Sequence, residues 1–211
     1  MGNLIINMLL VFQMIIGSTN IDIENLTFYE LGSFFDVSNL YITEINDGIE
    51  CVYDQNELSS KEIVVEILKE VPKELKMVVK QICIYQELNG NVAGVAKDEQ
   101  IELYNLEQYD KETQKYIVYH EIAHLWGRKL MQYKVLDYHY TDYSEAVRKD
   151  NNYISSYSKK YIIEKNNYSE DFADSVAKYL ISNKKLSKKY SNRQAYIEQM
   201  LDISEGGLGK T

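Results

Sequence analysis

"QKYIVYHEIAHLWGRKLM", residues 114–131, decides how this chain is read. Ile117, Val118, Ile122, Leu125 and Leu130 recur at helical spacing, and the pattern extends back to Lys111. A helix turns about 100° per residue, so His120 and His124 stand nearly above one another, roughly 6 Å apart along the axis. Both imidazoles can reach one ion. Zinc takes histidine nitrogens at roughly 2.0–2.1 Å in a tetrahedron, and two rings from adjacent turns fill two corners without moving the backbone. Glu121 is rotated off that line by one residue, so it is placed to accept a proton from water acidified by the metal rather than to ligate. The pattern sits within a helix that has an apolar face, uses two of the chain's three histidines and is flanked by apolar residues.

A catalytic zinc site needs a third protein ligand and an open position. Gly127 extends the match to His-Glu-x-x-His-x-x-Gly, as in metzincins, but the position of their third histidine holds Leu130. His139, in the polar stretch DYHYTDY, lies off the helix and suits a surface or supporting role better than ligation. Two glutamates on later segments remain. Glu145, in YSEAVRKD, has a spacing from His124 seen in thermolysin-like enzymes, but its neighbourhood is polar and no acid follows one turn on. Glu170, in NNYSEDFADSVAKYL, has Phe172, Val176 and Tyr179 to pack its helix. Asp174 follows one turn later on the same face, where it can accept the second ring N–H of a ligating histidine. Glu170 is favoured over Glu145, and Asp171 points elsewhere on the helix.

YHEIAHLWG together with SEDFADSVAKYL resembles the gluzincin metallopeptidases of the anthrax lethal factor and clostridial Pro-Pro endopeptidase group. The likeness covers roughly residues 60–203, including VPKEL and the strand-like GVAKDEQIEL. It implies an α+β, zincin-like domain with a small mixed sheet, an active-site helix and a C-terminal helical subdomain. It further implies a zinc-dependent endopeptidase with Zn2+ as cofactor, acting on a protein or peptide held extended along an edge strand. Such enzymes carry a tyrosine before the glutamate helix that helps stabilise the oxyanion. The usual spacing lands here on Ile163, a departure from the pattern; Tyr157, Tyr161 and Tyr168 are nearby, and the SSYS context favours Tyr157. The expected site is therefore His120, His124 and Glu170 on the metal, Glu121 as general base, Tyr157 as oxyanion donor and Asp174 behind the ligands. The alternatives are a noncatalytic peptide-binding domain and an intracellular, toxin-like protease.

The rest of the chain sets bounds. Its 211 residues fit one catalytic domain at 41–211, preceded by an apolar segment and linker at 1–40. A 45% hydrophobic and 26% charged composition suits a globular protein, and a net charge of −9 argues against nucleic acid and for a cationic partner or peptide. LIINMLLVFQMII, residues 4–16, is too short for a membrane span but long enough for an export-signal core, despite lacking a preceding Lys or Arg. A secreted or cell-surface location is the expectation, with a cytoplasmic one if that run is instead a buried helix or strand. Cys51 and Cys83 read as small buried thiols, or as a pair if the chain is exported.

Further elements are expected as follows. LYITEINDGIECVYD alternates about an Asn-Asp-Gly turn and predicts a hairpin. LSSKEIVVEILKEVP predicts a helix with Ser59 and Glu62 as capping box and Pro72 as terminator. A second helix begins at Pro72 and gives way to a strand near residues 82–86. A turn at Asn89-Gly90-Asn91 leads into a strand pair. Residues 132–167 read as loop or broken helix before two C-terminal helices.

Overall fold

The computed structural model describes residues 41–86 and 92–207, all within the unit that spans residues 40–211. The apolar run at 4–16, the linker that follows it and the Asn89-Gly90-Asn91 turn lie outside the described residues. The fold is α+β, a five-stranded mixed sheet with seven helices among the described residues. No described helix is long and apolar enough to cross a membrane.

Strand β1 (Tyr41–Asn46) turns into β2 (Ile49–Asp54) through Asp47 and Gly48, both at positive φ. Two left-handed residues in succession make the tight turn whose twist matches that of the flanking strands. Helix α1 (Leu58–Glu70) follows and buries Val64, Ile67 and Leu68. The expected Ser59–Glu62 capping box does not form. The helix begins two residues earlier, with Glu57 at the N-cap, and Glu57 accepts a 2.6 Å hydrogen bond from the Ser60 hydroxyl. Pro72 ends the segment as foreseen, but the helix it opens, α2 (Lys73–Lys76), is a single turn.

Strand β3 (Gln81–Tyr85) then runs parallel to β2, and the hairpin of β4 (Gly94–Lys97) and β5 (Gln100–Tyr104) completes the order β1-β2-β3-β5-β4. Among the described residues strand β4 is thus an edge, antiparallel to its one neighbour. Cys51, Tyr53, Ile82, Ile84, Ile101 and Leu103 alternate onto the buried face, while Glu50, Gln81, Gln100 and Glu102 stand on the partly solvated one. Cys51 lies opposite Ile82 and Cys83 opposite Val52, so the two thiols project to opposite faces of adjacent strands. Both are buried and unbridged, and a disulfide between them is ruled out by that register.

Helix α3 (Lys111–Gln132) carries the opening stretch. The Asp110 side chain caps it by accepting from the Glu112 and Thr113 amides at 3.0 and 2.9 Å. Its apolar stripe, including Val118, Ile122, Leu125 and Trp126, is almost wholly buried. Residues 132–167, expected as loop or broken helix, are broken helix. They form α4 (Thr141–Asp150) and α5 (Ser156–Lys165), the latter started by a Ser155–Ser158 capping box. Helix α6 (Ser169–Ile181) packs along α3, with Phe172 against Trp126 at a centroid distance of 5.6 Å. Gly127 is required there, because a Cβ would sit 2.9 Å from the Tyr140 hydroxyl and 3.4 Å from Phe172. Helix α7 (Ser191–Gly207) closes the helical side.

A buried ionic cluster ties these helices together. Arg193 of α7 has no exposed surface; its guanidinium donates to both Asp171 carboxylate oxygens at 2.7 and 3.1 Å and to Asp150 at 3.1 Å. The Tyr143 hydroxyl donates to Asp171 at 2.8 Å, and the Ser158 hydroxyl reaches the same carboxylate at 3.2 Å. Removing one partner of a buried pair strands the other charge, so Arg193→Met is expected to destabilise the protein by about 3–5 kcal/mol. Urea unfolding of the purified variant measures this, and a change near zero would contradict the clamp.

Candidate metal centre

On α3, His120 and His124 point from successive turns toward α6, which answers with Glu170 and Asp174 on successive turns of its own. His120 Nε2 lies 3.1 Å from His124 Nε2, and Glu170 Oε2 lies 3.3 and 3.4 Å from the two nitrogens. Donors bonded to one tetrahedral zinc at 2.0–2.1 Å are about 3.3–3.4 Å from one another, so the triangle has the size of a zinc coordination face. Glu170 Oε2 is buried without an aligned hydrogen-bond donor. Among the described residues this is the one cluster of three or more such side chains with that convergence. Two imidazoles and a carboxylate are a donor set that zinc accepts.

Behind the triangle, Asp174 Oδ1 lies 3.0 Å from His120 Nδ1. The approach is a close electrostatic contact rather than a well-aligned hydrogen bond, since Nδ1 has no directed partner. Asp174 is held in turn by short hydrogen bonds from the Tyr116 hydroxyl on α3 and from Ser155, the cap of α5. Three elements therefore fix one carboxylate against one imidazole. Burial opposes charging His120, but Asp174 and Glu170 outweigh it and push the imidazole up to about 10. Burial likewise works to raise Glu170, yet His120 and His124 hold its carboxyl down at about 2.

Glu121 leaves this group and turns under the edge strand. A Cβ on Gly94 of β4 would lie 2.8 Å from Glu121 Cγ and 3.0 Å from its Oε1, so glycine alone lets the strand come this close. Desolvation raises the Glu121 carboxyl; the two imidazoles and the Ala96 N–H, which donates to it, oppose that rise. His120, Glu121, His124 and Glu170 line one cleft of about 710 Å³.

The other expected residues divide. Tyr157 lines the cleft with its hydroxyl 3.2 Å from that of Tyr161, and the residue is 52% exposed. Burial, the Tyr161 hydroxyl and the Glu170 charge keep its proton on. Tyr168 also lines the cleft, at the start of α6. Glu145 is exposed on α4 and takes no part in the cluster, and His139 lines the cleft without joining the triangle of His120, His124 and Glu170. Asp171, adjacent to Glu170, faces Arg193 instead. Gly94, Arg128 and Tyr140 were not singled out by sequence reasoning as lining residues, yet all three line the cleft. The spacing of Arg128 from His124, one helical turn, was the available signal.

The chain matches no protein-family model, and neither the curated proteins nor the solved structures contain a significant match to it.

His120 must be neutral to ligate, and its folded value stands above the ordinary 6.5. Zinc binding at pH 7 is therefore expected to release about one proton per ion, with affinity rising about tenfold per pH unit from neutrality toward the folded value. Calorimetry in buffers of different ionisation enthalpy checks this; binding without proton release would contradict the geometry.

Proposed function

We propose that this chain is a zinc-dependent endopeptidase with a zincin-like domain of the gluzincin kind. The triangle of His120 Nε2, His124 Nε2 and Glu170 Oε2, with edges of 3.1–3.4 Å, carries the reading. Three protein donors are the number that catalytic zinc sites use. When bound, zinc supplies Lewis acidity, polarising a carbonyl and lowering the pKa of water toward neutrality.

The protein's own groups do the remaining work. Glu121 takes a proton as water attacks the scissile carbonyl and returns it to the departing amine, so one carboxylate serves both halves of the hydrolysis. Its raised carboxyl makes it a better base at neutral pH than an exposed glutamate. Asp174 holds His120 through Nδ1 and leaves Nε2 for the ion. The side of β4 left unpaired among the described residues offers an extended peptide a row of backbone partners directly above Glu121. Tyr157 is a protonated donor in the same cleft, suited to the developing oxyanion, a role worth about 3 kcal/mol in acyl-transfer sites.

Glu121→Gln is expected to abolish cleavage of a proteome-derived peptide library, with a chelator-treated wild type as control, while bound zinc stays near one per chain. Wild-type turnover in that variant would overturn the assignment. Gly94→Ala forces Glu121 to move and is expected to lower kcat by about tenfold to a hundredfold at unchanged zinc content. Metal analysis with steady-state kinetics reads both quantities.

A further inference from the structure

The chain has three arginines, and the described structure gives them three different fates. Arg193 is saturated by Asp150, Asp171 and the Asn152 carbonyl. Arg148 reaches the Ser144 hydroxyl at 3.3 Å. Arg128 lines the cleft, and its Nε and Nη2 are buried with no hydrogen-bond acceptor among the described residues. A desolvated guanidinium nitrogen without an acceptor is costly to keep. The last turns of α3 favour a cation through the helix dipole but supply no acceptor to the fork.

Arg128 stands one turn beyond His124 on the ligand-bearing side of α3, and the residue before it is Gly127. The missing Cβ of Gly127 admits the Tyr140 hydroxyl, so a second donor lines the same end of the cleft. Tyr140 holds a left-handed backbone with φ 51°, a conformation unusual for a bulky residue and maintained here by packing against Phe172 and Tyr143. Burial pushes its hydroxyl up and the Arg128 cation works against that shift, as expected of groups within electrostatic reach. The acids lining the cleft among the described residues are Glu121 and Glu170, each committed to base or metal duty, whereas Arg128 and Lys165 are cations without such a duty. The cleft's remaining charge is therefore positive, although the chain as a whole carries −9.

From the free fork of Arg128 beside Tyr140, we propose a specificity subsite for a substrate carboxylate one turn from the metal centre. The inference rests on the peptidase reading and names what that site selects. A planar guanidinium matches a carboxylate with two parallel hydrogen bonds, a fit that an ammonium cannot reproduce. The carboxylate has two sources in a peptide, an Asp or Glu side chain within the chain or the C-terminal group itself.

The test uses the full chain, zinc-loaded and carrying Glu121→Gln so that peptides are not consumed. Three probes are titrated by calorimetry: N-acetylated alanine pentapeptide amide, the same amide with one glutamate scanned through each position, and N-acetylated pentaalanine with a free C-terminus. At least one carboxylate-bearing probe is expected to bind about tenfold or more tightly than the plain amide. A glutamate preference identifies the side-chain source, and a preference for the free acid identifies the C-terminal one. Arg128→Met is expected to erase the preference without changing zinc content, and Arg128→Lys to retain only part of it. Equal binding of all probes overturns the subsite, as does a preference that survives Arg128→Met, since the carboxylate is then held by the metal. Should Arg128→Met not fold, the Arg128 Nε–H resonance of the parent decides: it shifts with the acidic probe and not with the plain amide, and an unmoved resonance overturns the proposal. Failure of the peptidase reading is seen separately, as wild-type protein that leaves every peptide intact while the binding difference persists.

Discussion

The buried pair of Asp171 and Arg193 sets the rotation of helix α6, and the candidate centre depends on that rotation. Glu170 and Asp171 are neighbours with opposite duties, one facing His120 and His124, the other locked into a guanidinium that has no exposed surface. Turning α6 by one residue would bring the wrong carboxylate to the histidines and leave Arg193 unpaired, a large electrostatic penalty in a desolvated interior. The clamp also draws on Tyr143, Ser158 and Asp150, so α4, α5 and α7 all hold α6 at that angle. A part of the core remote from the cleft thereby fixes the geometry of the cluster.

Inside the cleft, two imidazoles confront two carboxylates in surroundings largely removed from water. Such a group needs positive charge to be stable. His120 supplies it by keeping its proton well above the ordinary range, and a divalent cation would replace that proton with twice the charge at the focus of the same donors. The long-range charge of the molecule and the charge at this place differ in sign once Glu121 and Glu170 are set aside. The expectation of a cationic partner, drawn from −9 overall, is thus weaker than what Arg128 and Lys165 say locally.

Much of the fold was legible in the sequence where one periodicity dominated. The Asn-Asp-Gly hairpin, the helix ending before Pro72, and the long helix from Lys111 all came from patterns with a single physical solution. Residues 132–167 read only as loop or broken helix because α5 is rich in Lys and Tyr and fully buries only Ser158, so its order comes from a cap and from neighbours rather than from an apolar stripe. The convergence of His120, His124 and Glu170 was readable from helical spacing and from Asp174 one turn after Glu170. Arg128 was not, because a charged residue after a buried stretch resembles a solvated face until the absence of an acceptor among the described residues is seen. Gly94 was equally silent, since nothing in a strand pattern says what passes beneath it.

The opposed orientations of Cys51 and Cys83 bear on the environments this protein can tolerate. The chain's only two sulfhydryls sit back to back across a sheet, each enclosed, so neither glutathione nor an oxidising milieu has a cross-link to break or to make between them. No disulfide between these two thiols holds the sheet together, so its pairing needs no disulfide isomerase.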